Sequence, residues 1–409
     1  MTQDEAIALI KSGANVYLGG SAGSGKSWVI RKITDKGTLL VGPTGVSALN
    51  IGGQTAHRAF GLPMGMATQD DFNKITAKVK KLLASKHLKL LIVDEISMLR
   101  ADHMDMINHR LQQARGNKLK WGGVQVVVVG DFHQLEPIVG YQEKYMFYQK
   151  YATSHAFSAE SWDFIPAMLD KVQRQSDDTQ IRVLESFRTG DKWASRAFGW
   201  MAENSKPYDA NEDILHLACY KVDAERTNVL QYNKMPGKER TYRGSTNNKT
   251  WGKDIAAPEV LKLKVGTKVL IKANCQEGSY VNGSRGTITE MHPSSVMVKL
   301  DSGEEVEVVE FTWETYVYSS TAKGLTKTVE FMYSQLPIQL GYSITAHSSQ
   351  GMTLGRYAVD TGKGAFTAGQ LYVMLSRAKD LTQVSLASSV GMRDLIVDND
   401  VREFYRSVS

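Results

Sequence analysis

Cysteine is almost absent from this 409-residue chain, which has only Cys219 and Cys275. Two thiols that far apart have neither the short spacing of a metal site nor the numbers for a disulfide framework. The fold must therefore rest on its core, and the usage fits a reducing compartment. Long apolar runs are also missing. None approaches the ~20 residues a membrane helix needs. Met1 to Asn15 has acidic residues early and no uninterrupted apolar centre, which argues against a secretory signal. No internal repeat or low-complexity tract appears. These absences lead to the expectation of a soluble, cytoplasmic protein with no membrane association.

The length exceeds what one hydrophobic core organises and predicts two or three domains. A formal charge of +6 leans towards a polyanionic partner without identifying one. Short apolar runs, each closed by Gly, Asp or Thr, lead into helical patterns: Val16 to Gly19, Thr38 to Gly42, Leu88 to Asp94, and Val124 to Asp131. Runs apolar on both faces suit parallel strands covered by helices on each side, an α/β architecture whose chemistry collects at the strands' carboxyl ends. A second α/β pattern starts near Phe157, includes Leu215 to Tyr220, and resumes at Ile338. The stretch from about Val265 to Ser334 instead shows short β-rich pieces split by Asn-Gly-Ser and Asp-Ser-Gly turns. A small antiparallel barrel inserted in the second α/β domain is the simplest expectation.

The segment Gly20-Ser21-Ala22-Gly23-Ser24-Gly25-Lys26-Ser27 follows a strand and precedes a helical stretch, the context of a phosphate-binding loop. Glycines let backbone N–H groups close around phosphate oxygens, Lys26 would reach the β/γ-phosphates, and the Ser27 hydroxyl would ligate Mg²⁺. A chance match in a chain of this length has a probability of roughly one or two per cent. Asp94 and Glu95 end an apolar strand, with Asp94 placed to hold Mg²⁺ and Glu95 to polarise an attacking water. ATP and Mg²⁺ are the expected cofactors.

Asp94-Glu-Ile-Ser-Met-Leu, then Trp121-Gly-Gly-Val-Gln, then Gly130-Asp-Phe-His-Gln-Leu-Glu-Pro together resemble superfamily 1 DNA helicases. The groups most similar are the Pif-type helicases, RecD and the Dda helicase of T-even phages, and the resemblance covers nearly the whole chain. It implies two RecA-like domains with parallel sheets, the first at 1–150 with a wedge insertion at about 62–86. The second would comprise 151–264 and 335–409, interrupted by an SH3-like β insertion at 265–334. It also implies that Gln3 recognises adenine, that Gln134 senses the γ-phosphate, that Arg174 and Arg377 act as arginine fingers, and that Gly351 contacts the nucleotide. Fingers supplied by the second half would make hydrolysis depend on domain closure.

On the nucleic-acid side, the resemblance assigns Pro43, Thr44, Thr55, His57 and Phe60 to one strand-binding segment. It assigns His347, Ser348 and Ser349 to another, where Ser348 stands in place of the family's basic residue. Contacts of this kind go mostly to phosphate and sugar, as a translocating motor requires. Phe60, Tyr242, Trp251 and Trp313 are candidate base-stacking rings, and Arg285 is a candidate DNA contact. The expected function is an ATP-dependent helicase moving 5′ to 3′ on single-stranded DNA and separating forked or tailed duplexes, as a monomer, with replication or recombination proteins as partners. A translocase or protein-displacing ATPase shares the fold. A P-loop kinase or nucleotide switch predicts no second-half arginines at the ATP site, and a passive single-strand-binding protein leaves Lys26, Asp94 and Glu95 unexplained. With every segment assigned, no separate nuclease or relaxase domain is expected.

Overall fold

The computed structural model describes residues 1–170, 177–247, 257–275, 277–322, 324–387 and 389–408. The chain forms two compact units. One contains Met1–Ser176, Glu314–Phe331 and Asn399–Ser409; the other contains Asp177–Trp313 and Met332–Asp398.

The first unit is built on a six-stranded sheet in the order Gln54–Thr55, Thr38–Gly42, Leu90–Val93, Gln125–Gly130, Val16–Gly20, Ile165–Leu169, with every pairing parallel. Its strands alternate between two apolar faces. Val126 and Val128 point into one core with Leu39, Val41, Leu91 and Val93. Val127 and Val129 point into the other with Val16, Leu18, Leu90 and Ile92. Burial on both faces explains why these runs carry no polar alternation. It also leaves only the strand ends for chemistry.

The domain boundary expected at 150 lies later, because Ile165–Leu169 pairs in parallel with Val16–Gly20 and completes the first sheet. The C-terminal stretch expected in the second domain also departs from that assignment. Helix Asn399–Val408 belongs to the first unit, where Val401 is buried and Phe404 and Tyr405 pack against the same core. Those three residues lie at helical i, i+3, i+4 spacing, so one face of the helix is apolar and needs cover.

The second unit carries a four-stranded parallel sheet in the order Ser343–Thr345, Leu215–Ala218, Tyr357–Asp360, Val384–Leu386. Its β insertion is a five-stranded antiparallel sheet, Glu305–Val309, Ser295–Leu300, Arg285–Met291, Lys268–Ile271, Ile338–Leu340. Tyr242, Leu261 and Leu263, from upstream of the expected boundary, complete its core. The long strands Phe311–Thr321 and Gly324–Gln335 run beyond this sheet. Their outer part, Glu314–Phe331, belongs to the first unit, where Tyr318 is buried in the core and Leu325 packs on it. The insertion expected at 265–334 is thus divided between the two units. Among the described residues, no helix is long and apolar enough to cross a membrane.

Candidate nucleotide and nucleic-acid sites

Three adjacent strands of the first sheet end at one edge. Register pairs Gly19 with Gly130 and Val93 with Val128, so the turns that follow Gly20, Val93 and Gly130 emerge side by side. The first of them is the phosphate loop, leading into helix Lys26–Ile33. Gly25 has φ +90°, in the left-handed region glycine tolerates. A Cβ at Gly20 would sit 2.7 Å from Ser24 Oγ, so the loop closes only without one. Lys26 Nζ donates to the carbonyl oxygens of Gly20 at 2.7 Å and Ser21 at 2.9 Å, which holds the ammonium inside the loop. Ser24 Oγ is buried and has no hydrogen-bond partner, a cost unless a ligand or water meets it.

Gln3 opens helix Gln3–Lys11, whose Thr2–Glu5 capping box fixes where the helix begins. Its Nε2 donates to Ser24 O at 3.2 Å, and a Cβ at Gly25 would fall 1.9 Å from that same nitrogen. The structure therefore sets Gln3 directly on the loop.

Asp94 follows strand Leu90–Val93, and its backbone N–H donates to Val41 O. Burial raises the pKa of its carboxyl and the neighbouring Glu95 charge raises it further, while the Glu95 N–H and the Lys26 ammonium oppose the shift. Glu95 has φ +50°, a left-handed conformation that costs a non-glycine residue roughly 1–2 kcal/mol. The third turn, Asp131 to Gln134, closes by a Gln134 N–H to Asp131 O bond of 3.0 Å, and both side chains are buried.

The loop after Thr38–Gly42 holds Pro43 and Thr44. Thr44 caps helix Gly45–Asn50 in a reciprocal box with Ser47, and Thr55 caps helix Ala56–Phe60. Each hydroxyl accepts a backbone N–H; that of Thr44 also lies 3.0 Å from Ser47 Oγ, while that of Thr55 still carries its own hydrogen to donate. His57 is partly exposed, and its ring meets His103 edge-on at 5.1 Å. The expected stacking rings are a correction. Phe60 is fully buried in the first core, and Tyr242 and Trp313 are 6% and 7% exposed. Each fills core volume, and Tyr242 also donates to His292 O. Trp251 and Arg174 lie outside the described residues.

In the second unit, His347–Ser349 forms a 3-10 turn in which Ser348 is exposed and its Oγ accepts from Thr345 Oγ1 at 3.0 Å. Burial lowers the His347 pKa. Gly351 is exposed with φ +75°. Arg377 is buried: Nε donates to Val373 O, Nη2 to Ser376 Oγ and Nη1 to Ser349 O. That last bond ties it to the His347–Ser349 turn of the same unit. Arg285 is a second correction. Its guanidinium is buried on Gly341 O, Asp213 and Asp301, where it holds the β insertion to the strand-end turn rather than facing outward.

Residues 2–193 match the family model of PIF1-like helicases. The ATP-dependent DNA helicase Pif1 of Bdellovibrio bacteriovorus is 31% identical over 417 residues, covering 99% of this chain and 91% of that protein. The chain belongs to the PIF1-like helicase family. Among solved structures, Bacteroides sp Pif1 in complex with ADP-AlF4 is 29% identical with a TM-score of 0.90, covering 99% of this chain and 96% of that one. Pif1 from Bacteroides in complex with ADP-AlF3 and ssDNA is also 29% identical, with the same coverages and a TM-score of 0.69. The two-domain RecA-like fold follows from these likenesses.

As a PIF1-like chain, it also carries features with no local signature in the sequence. Trp121, in the Trp121-Gly-Gly turn, has φ +54° and is buried, with its Nε1 donating to Asp163 and its backbone N–H to Asn108. Its role is to turn the chain into strand Gln125–Gly130. The segment expected as a wedge forms helices Gln69–Asn73 and Ala77–Leu83. It is anchored by Arg100, which pairs with Asp102 at 3.0 Å and Glu143 at 2.6 Å. Those carboxylates in turn accept from Ala67 N–H and Met66 N–H. Partners about 35 to 77 positions apart leave no local signal in a sequence.

Proposed function

We propose that this chain is an ATP-dependent DNA helicase that moves 5′ to 3′ on single-stranded DNA and separates forked or tailed duplexes. The observation that carries the reading is the shared strand edge of the first unit, where the phosphate loop, the Asp94–Glu95 pair and the Asp131–Gln134 turn emerge together. ATP binds at Gly20–Ser27, with Gln3 reading the base and Lys26 the β/γ-phosphates. Asp94 and Ser27 are the residues that would hold Mg²⁺. A buried carboxyl crowded by a second carboxylate suits a divalent cation, which when bound neutralises phosphate charge. Glu95 orients the attacking water and Gln134 senses the γ-phosphate. Arg174 and Arg377 stabilise the transferring phosphoryl group, which makes turnover depend on the second unit.

Pro43, Thr44, Thr55 and His57 grip the strand from the first unit; His347, Ser348 and Ser349 grip it from the second, with Gly351 beside the nucleotide. Alternating grip through the ATP cycle moves the motor, and the exposed Met64 lies in the segment that would wedge the strands apart. Steady-state ATP hydrolysis with and without oligo-dT tests the motor, and a rate that ignores DNA would overturn it. Forks with a single 5′ or 3′ tail test polarity. Stimulated hydrolysis without strand separation would make the chain a translocase or protein-displacing ATPase.

A further inference from the structure

Helix Asn399–Val408 lies outside the segment that matches the family model, yet its Tyr405 reaches three consecutive residues of the Asp131–Gln134 turn. The Phe132 N–H donates to Tyr405 Oη at 3.1 Å, and that hydroxyl donates to Asp131 Oδ1 at 3.2 Å. The Tyr405 ring stacks on His133 with centroids 4.6 Å apart and planes within 10°. The hydroxyl also lies 2.7 Å from that of Tyr17, in the strand that leads into the phosphate loop. A phenol has one hydrogen, so with Tyr405 donating to Asp131, Tyr17 is the donor between the two rings. The Asp131 carboxylate is fully buried and also accepts the His133 N–H at 3.2 Å. Phe404 anchors the helix through its ring alone, stacked on Phe157 at 4.5 Å and edge-on to Phe132 at 5.3 Å.

We propose that Tyr405 is a positioning residue for ATP hydrolysis: its hydroxyl fixes the Asp131–Gln134 turn against the phosphate-loop strand and so sets where Gln134 stands. This rests on the reading of that strand edge as the nucleotide site. Removing the hydroxyl takes a donor from a buried carboxylate and an acceptor from the Phe132 N–H, while the ring and its stacking persist. The turn is then free to shift by a fraction of an ångström, and catalytic geometry is sensitive to displacements on that scale.

The test compares Tyr405→Phe with Phe404→Leu in the full chain, by steady-state ATP hydrolysis with and without oligo-dT and by thermal unfolding. Y405F should lower kcat about tenfold, with KM for ATP and half-saturating oligo-dT changed less than about twofold. F404L removes anchoring area but keeps the hydroxyl, so it should lower Tm with kcat within about twofold of wild type. A wild-type kcat in Y405F overturns the proposal. So does an equal loss of kcat in both variants, because the helix would then act by folding alone. If wild-type hydrolysis ignores DNA, the motor reading fails, and the same comparison of variants is read on the basal rate.

Discussion

The strand edge of the first unit and two buried arginines of the second hold their polar groups in opposite ways. At the nucleotide edge of the first, Ser24 Oγ has no partner, Glu95 is held left-handed, and the Asp94 carboxyl is pushed up by burial and by Glu95. In the second, the buried arginines Arg285 and Arg377 are well matched. Arg377 is bonded through Nε, Nη1 and Nη2, and Arg285 is shared among Gly341, Asp213 and Asp301. The first edge thus carries groups that work against its own stability, as the proposed site for a charged ligand would. The second unit holds the Arg377 guanidinium on satisfied bonds, and the proposed role on a phosphate would require exchanging them.

The strongest break of this comparison is Lys26→Ala. It should reduce ATP turnover on the order of 10³-fold or more and abolish unwinding, while oligo-dT affinity measured by fluorescence anisotropy stays within a few-fold. Loss of DNA binding as well would mean that the loop supports the strand-binding segment. Arg377→Ala should also cut turnover, by on the order of 10²–10³-fold. Its second effect separates it from K26A. Truncation removes three buried hydrogen bonds made by a cation, costing about 1–3 kcal/mol in denaturant unfolding, although Val373 O keeps the Ser376 hydroxyl and Ser349 O keeps the Met352 N–H. Full turnover in R377A would favour a kinase or switch whose ATP site needs only the first half.

The same contrast governs what the sequence made legible. The phosphate loop and the Asp94–Glu95 pair could be read because their chemistry is local and their strands are apolar on both faces. Ile165–Leu169 escaped because it is an edge strand with Pro166 inside it, a residue that argues against a central strand and is tolerated at an edge. Phe60, Tyr242 and Trp313 misled because a ring's identity does not tell whether it faces a base or a core. The C-terminal helix had a readable apolar face in Val401, Phe404 and Tyr405, but its cover comes from Tyr17, Phe132, Phe157 and Trp162, more than 230 residues earlier. Arg377 drew notice by its flanks, whereas its bond to Ser349 O depends on how two distant turns meet.

The smallest expected effect is also the one whose sign is least intuitive. Ser24→Ala deletes a hydroxyl that is 1% exposed as a residue, has no partner, and lies 2.7 Å from where a Cβ at Gly20 would be. Loss of an unmet buried hydroxyl relieves a desolvation cost, so the nucleotide-free protein should gain about 1 kcal/mol in denaturant unfolding. If the hydroxyl is there to meet a nucleotide, KM for ATP should rise about three- to tenfold, a loss of roughly 1 kcal/mol of binding. The two shifts should therefore oppose each other, and unfolding repeated at saturating ATP should show the gain shrinking or vanishing. A variant less stable without nucleotide would mean that solvent already satisfies Ser24. The first edge would then be no more strained at this position than the second unit is at Arg377.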